Sequence, residues 1–131
     1  MLLVDWEFAG AGPAGFDVGT VFAEWLRSWV GSIPIVAPDD PGRLVSRATH
    51  PLALMRSAMR SFWAAYHAAR PEGPTLRGVI ELAAVRLLQI AVERAQGSGD
   101  PAAHVITLLQ LADNMLRRPD DAAQTLLGLR E

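Results

Sequence analysis

Apolar residues recur at helical spacing along most of this chain. Val18, Val21, Phe22, Trp25, Leu26 and Trp29 share one face of a helix expected over 17–30, with Asp17 as its N-cap and Gly31 as its stop. A second helix is expected over 51–69, where Pro51 suits the first turn and Leu52, Met55, Met59, Phe62, Trp63 and Tyr66 form the apolar stripe. Arg56, Arg60 and His67 then face outward. Over 75–96 the apolar positions Leu76, Val79, Ile80, Leu82, Val85, Leu87, Leu88, Ile90 and Val92 reach round most of the circumference, which predicts a central, buried helix. After Gly97-Ser98-Gly99, Asp100 and Pro101 open a fourth helix, with Val105, Leu108, Leu109, Ala112, Met115 and Leu116 in register up to Arg118. Pro119 stops it, and Asp120-Asp121 cap a last short helix through Leu129. His104 and Asp113 are isolated polar positions that read as surface.

Two stretches break the helical pattern. At the N-terminus Leu2-Leu3-Val4-Asp5 reads as a short strand, followed by a turn rich in Gly10, Gly12, Pro13 and Gly15. That turn lacks the Gly-Lys-Ser/Thr pattern of a phosphate-binding loop. Residues 31–50 carry Pro34, Pro38, Pro41 and Gly42, a long irregular segment for a small domain; it is either a solvated connector or a functional loop. The expected fold is mainly α, one domain over 1–131, with one N-terminal strand and about five helices.

Composition narrows the classes. Half of the 131 residues are hydrophobic and a fifth are charged, the balance of a globular domain. A net charge of -2 argues against nucleic acid as a partner. All twelve cations are Arg, scattered along the chain, and there is no Cys to form disulfides or thiolate metal sites. The lack of Cys fits a cytoplasmic protein, and with no basic leader and no apolar run of membrane-spanning length no membrane span is expected.

The chemistry concentrates near the start. Asp5 and Glu7 stand at i and i+2, on the same side of an extended backbone, where two hard oxygen donors can meet one cation. Mg²⁺ takes such carboxylates together with substrate phosphates. Arg86 interrupts the apolar middle of the 75–96 helix. It needs a partner there, either a carboxylate or a bound substrate.

The arrangement Val4-Asp5-Trp6-Glu7, then Gly12-Pro13, then Phe16-Asp17-Val18-Gly19 resembles the metal-binding segment of the aminoglycoside phosphotransferase and choline kinase superfamily. It is especially similar to methylthioribose kinase-like proteins. The resemblance implies the C-terminal helical subdomain of a protein-kinase-like fold. It places Mg²⁺ and ATP as cofactors, Asp5 and Glu7 on the metal, Asp17 in support of the catalytic loop, and Arg86 in binding a small-molecule acceptor. In that family a nucleotide lobe with a Lys and a His-Gly-Asp catalytic loop come before this segment; these 131 residues contain neither a Lys nor a His-Gly-Asp. The expectation is therefore a kinase lobe inactive alone. Its alternative is a non-catalytic remnant that binds a partner chain, or itself, through the N-terminal strand. In the plainest reading, Asp5-Trp6-Glu7 is only a turn.

Overall fold

The protein is described by a computed structural model over residues 10–34, 41–97 and 102–130. Among these residues the architecture is helical: α1 (Phe16–Gly31), α2 (Pro41–Ser46), α3 (Leu52–Ala69), α4 (Leu76–Gln96), α5 (Ala102–Arg117) and α6 (Pro119–Asp121), which runs on into a π-helical turn, Ala122–Leu127. The mainly α expectation holds. The strand expected at residues 2–5 and the Asp100-Pro101 helix start lie outside the described residues.

The core is built where α4 packs between α1 and α5. α1 contributes Val18, Phe22, Ala23, Leu26, Trp29 and Val30, spaced so that one side of the helix is continuously apolar. α4 answers with Leu76, Val79, Ile80, Leu87 and Ile90, and with the small residues Ala83, Ala84 and Ala91. Gly19 explains how closely the two helices approach. A Cβ there would stand 2.9 Å from the Ala83 backbone nitrogen and 3.1 Å from the Val79 carbonyl oxygen. Glycine ordinarily weakens a helix interior by about 1 kcal/mol; here it is the residue that lets two backbones meet.

α4 is central, but it is not buried all round. Val85 and Val92 are 49% and 52% exposed, and Leu82 and Leu88 are half-buried. Positions 85 and 92 lie seven residues apart on the side opposite Ile80, Ala84, Leu87 and Ala91, and no described element covers them. Apolar periodicity reports which positions are apolar, not which have a neighbour. On α5, Leu108, Ala112 and Met115 are buried, whereas Leu109 and Leu116 are exposed.

α3 joins the core differently. Only Met59 and Trp63 are buried; Leu52, Met55, Phe62 and Tyr66 pack against the core half-exposed. Its link to α1 is a cluster of rings. Phe62 meets Phe22 edge-on at 5.9 Å and Trp25 edge-on at 5.6 Å, the favoured geometry for aromatic pairs. Both expected core tryptophans of α1 are core residues, Trp29 buried and Trp25 half-buried.

Several boundaries differ from the sequence reading. The N-cap of α1 is Gly15, not Asp17, because Gly15 adopts φ 93° and its carbonyl already accepts from the Gly19 N–H at 2.8 Å. Asp17 lies in the first turn, where a carboxylate faces the positive end of the helix dipole. Pro51 is the N-cap of α3 rather than its first helical residue. Thr75 caps α4, its hydroxyl accepting from the Gly78 N–H at 3.2 Å. Asp120 and Asp121 make no side-chain cap; the N-cap of α6 is Arg118, and Pro119 opens that helix. Part of the 31–50 segment is helical, as α2.

Arg56 overturns a further expectation. It does not simply face outward: its Nε donates to the Leu126 carbonyl at 3.0 Å and its guanidinium also reaches the Thr125 carbonyl. These are carbonyls at the end of the π-helical turn, the kind of acceptors a helix terminus leaves over. His104, expected at the surface, is half-buried, and its Nε2 donates to the Ile33 carbonyl at 3.0 Å. His67 is exposed as expected, with its ring parallel to that of Trp63.

Candidate functional site

The opening of α1 lies on the wall of a cavity of about 770 Å³. Three segments shape it. The Gly-Pro turn 10–15 delivers the chain to α1, and the Phe16 N–H donates to the Pro13 carbonyl at 3.1 Å. The end of α3 supplies Tyr66 and Arg70, and the connector 71–74 supplies Glu72. The turn is locked against that connector: a Cβ on Gly15 would stand 2.8 Å from the Pro74 Cβ, and its positive φ already disfavours a side chain. The Gly73 N–H closes the connector on the Arg70 carbonyl at 2.9 Å.

Within this cavity Asp17 and Glu72 are exposed carboxylates and Arg70 an exposed guanidinium, beside the ring of Tyr66. The set mixes both signs of charge with an aromatic surface. It suits a polar small molecule that presents hydroxyls or a cation to the carboxylates and an apolar side to Tyr66 and Phe16. The volume lies inside the usual range for small-molecule sites, about 300–1,000 Å³.

The expected site residues are placed unevenly. Asp5 and Glu7, the expected metal ligands, lie outside the described residues. Asp17 lies at the cavity. Arg86 does not line it. Arg86 is half-buried on α4, 3.8 Å from Glu24 of α1 and 3.5 Å from Glu93 of its own helix, so a carboxylate partner is what the fold provides. Glu24 also pairs with Arg27, extending the ion pairs along the α1–α4 seam. On α5 the Arg117 guanidinium is held above its ordinary pKa by a hydrogen bond to Asp113 and by that carboxylate's charge; the pair is exposed and does not line this cavity.

Among the described residues no group of three or more His, Asp or Glu side chains comes together to hold a metal ion. The carboxylates of Asp5 and Glu7, expected to hold Mg²⁺, lie outside these residues. Two carboxylates alone leave most of the ion's octahedral shell to water or to phosphate oxygens.

Sequence reasoning missed Tyr66, Arg70 and Glu72 as cavity residues. Tyr66 reads as one more position of the α3 stripe, and Arg70-Pro71-Glu72-Gly73-Pro74 reads as a helix terminator. A signal was present: two charges of opposite sign, Arg70 and Glu72, stand on either side of Pro71 in a tight connector closed by Gly73-Pro74.

Two buried side-chain groups, Thr20 Oγ1 and the Trp29 indole N–H, have no hydrogen-bond partner among the described residues. Among those residues no helix is long and apolar enough to cross a membrane. Comparison of the chain with protein-family models, with curated proteins and with solved structures returns no match.

Proposed function

We propose that this chain is the metal-binding, helical lobe of an ATP-dependent small-molecule kinase. In such an enzyme the γ-phosphoryl group of ATP passes to a hydroxyl of a sugar, an aminoglycoside or a similar acceptor. The observation that carries this reading is the joint placement of two motif blocks. The Asp5-Trp6-Glu7 carboxylates precede a Gly-Pro turn, and that turn leads directly into α1, where Asp17 stands on the wall of the 770 Å³ cavity.

Asp5, assisted by Glu7, would hold Mg²⁺ against the phosphates. The ion, when bound, neutralises charge developing on the transferred group. Asp17 supports the loop that carries the catalytic base, and the acceptor lies in the cavity bounded by Tyr66, Arg70 and Glu72. Arg86, with two carboxylates already beside it, acts on an acceptor only if one of those pairs opens. These 131 residues contain neither a His-Gly-Asp catalytic loop nor a nucleotide-pairing Lys, so on this reading the lobe alone does not turn over. In a phosphorus NMR assay with Mg²⁺, ATP and a panel of sugars and aminoglycosides, the chain gives no phosphorylated product above background. Product that disappears on Asp5→Ala would mean that a complete site lies within these residues, and would overturn the incomplete-lobe reading.

A second reading, a non-catalytic module that binds a partner or itself, has its own support in the exposed Val85 and Val92 of α4 and Ile106, Leu109 and Leu116 of α5. Sedimentation velocity separates the two. A stable self-associated species broken by Val85→Asp and Ile106→Asp favours the module, and a monomer at all concentrations removes self-association from it.

A further inference from the structure

A second cavity, of about 540 Å³, is lined mainly by α3, the start of α4 and the C-terminal tail. α3 brings Trp63 and His67, one turn apart, with rings nearly parallel at 19° and centroids 5.8 Å apart. Ala64 and Ala68 lie on the same stretch of α3 and leave room beside the rings. Leu76, with Pro74, lines it from the other chain segment, and Leu76 is only 4% exposed. Trp63 and Leu76 both belong to the buried core, so these surfaces are fixed by the fold.

The charge of the cavity is one-sided. Among the described residues its lining contains the Arg130 guanidinium and the His67 imidazole, and no carboxylate. Arg130 makes no ion pair or hydrogen bond among the described residues. Its position is nevertheless held, because Leu129 beside it is buried and its N–H donates to the Ala123 carbonyl at 2.8 Å. An apolar, ring-bearing cavity with a guanidinium at one edge matches a planar ring carrying one carboxylate. The guanidinium fork donates two hydrogen bonds to a carboxylate, and a neutral ring would fill the walls while leaving that fork unmatched.

We propose that this cavity is a binding site for a small arylcarboxylate, its ring against Trp63, His67 and Leu76 and its carboxylate on Arg130. The proposal does not depend on the phosphotransfer reading, since none of the residues it uses comes from the cavity beside Asp17 except the shared Pro74.

The test titrates the whole chain with 2-naphthoate and with its neutral isostere 2-naphthamide, followed by amide and indole resonances in nitrogen–proton NMR. The expected result is saturable shifts clustered at residues 63–68, 74–76 and 130, with the carboxylate binding about tenfold more tightly than the amide, a difference typical of one charge-assisted pair. Arg130→Gln, an exposed tail substitution, abolishes that preference and leaves the affinity for the amide unchanged, while Arg118→Gln leaves both unchanged. Ala68→Phe, which fills the cavity from an exposed position, abolishes binding of both. Absence of saturable shifts, shifts clustered elsewhere, equal affinity for acid and amide, or a preference that survives Arg130→Gln would each overturn the assignment.

Discussion

The seam between α1 and α4 and the flank formed by α3 both rest on apolar side chains, yet they are built on different terms. At the seam, small residues on both sides let the backbones close, and Phe22, Leu26, Ile80 and Leu87 lose all exposure. Along α3 only Met59 and Trp63 are buried, and the helix is held by ring edges and by the reach of Arg56 to the carbonyls of Thr125 and Leu126. Both cavities border α3: Tyr66 and Arg70 line one, Trp63 and His67 the other. Dense packing sits in the seam, and these two cavities lie beside the lightly held helix. Binding sites are drawn from such regions, because a densely packed interface leaves no volume for a ligand.

The contrast can be broken at either end. The largest effect is expected at Phe22, which loses its contacts with Phe62, Trp25 and Trp63 on truncation; Phe22→Ala should destabilise by about 3–5 kcal/mol in urea unfolding. Gly19→Ala comes next. On an open helix face that change would stabilise, but here the added methyl meets the Ala83 backbone, so a loss of about 1–3 kcal/mol is expected. A gain in stability would show that the helices are not as close as described. Arg56→Ala should cost about 1 kcal/mol, discounted for partial exposure, and should speed amide exchange in the π-helical turn without affecting the middle of α4. Across the wild-type chain, amides of α3 should exchange before those in the buried stretch of α4; the reverse order would remove the distinction between seam and flank.

Much of this fold is legible in the residues because four helices advertise themselves by spacing alone. The stripes of α1 and α3 and the Pro and Gly breaks around them place those helices to within one or two residues. What stays hidden depends on partners far along the chain. Nothing near Arg56 in sequence announces carbonyls seventy residues away, and nothing near His104 announces the carbonyl of Ile33. Val85 and Val92 mislead for the same reason, since a helix apolar all round requires cover that the sequence of that helix does not describe. The cap of α1 turned on one backbone angle: Gly15 at positive φ starts the helix a residue early and moves Asp17 into its first turn. Of the cavity wall, Asp17 stood out in its motif block and Tyr66, Arg70 and Glu72 did not stand out at all, while Arg86, isolated among apolar neighbours, lies on the α1–α4 seam beside Glu24 and Glu93.

The central claim is that the opening carboxylates bind the divalent ion of a phosphotransferase. Its most direct test uses Mn²⁺ as a paramagnetic stand-in for Mg²⁺ on the isotopically labelled chain. Two carboxylates without phosphates make a weak site, so millimolar metal is used. The account predicts amide broadening centred on Asp5, Trp6 and Glu7, falling off through Asp17, abolished by Asp5→Asn and reduced by Glu7→Gln. Broadening centred on other acidic pairs such as Asp120-Asp121, or broadening at residues 5–7 that survives Asp5→Asn, would contradict it.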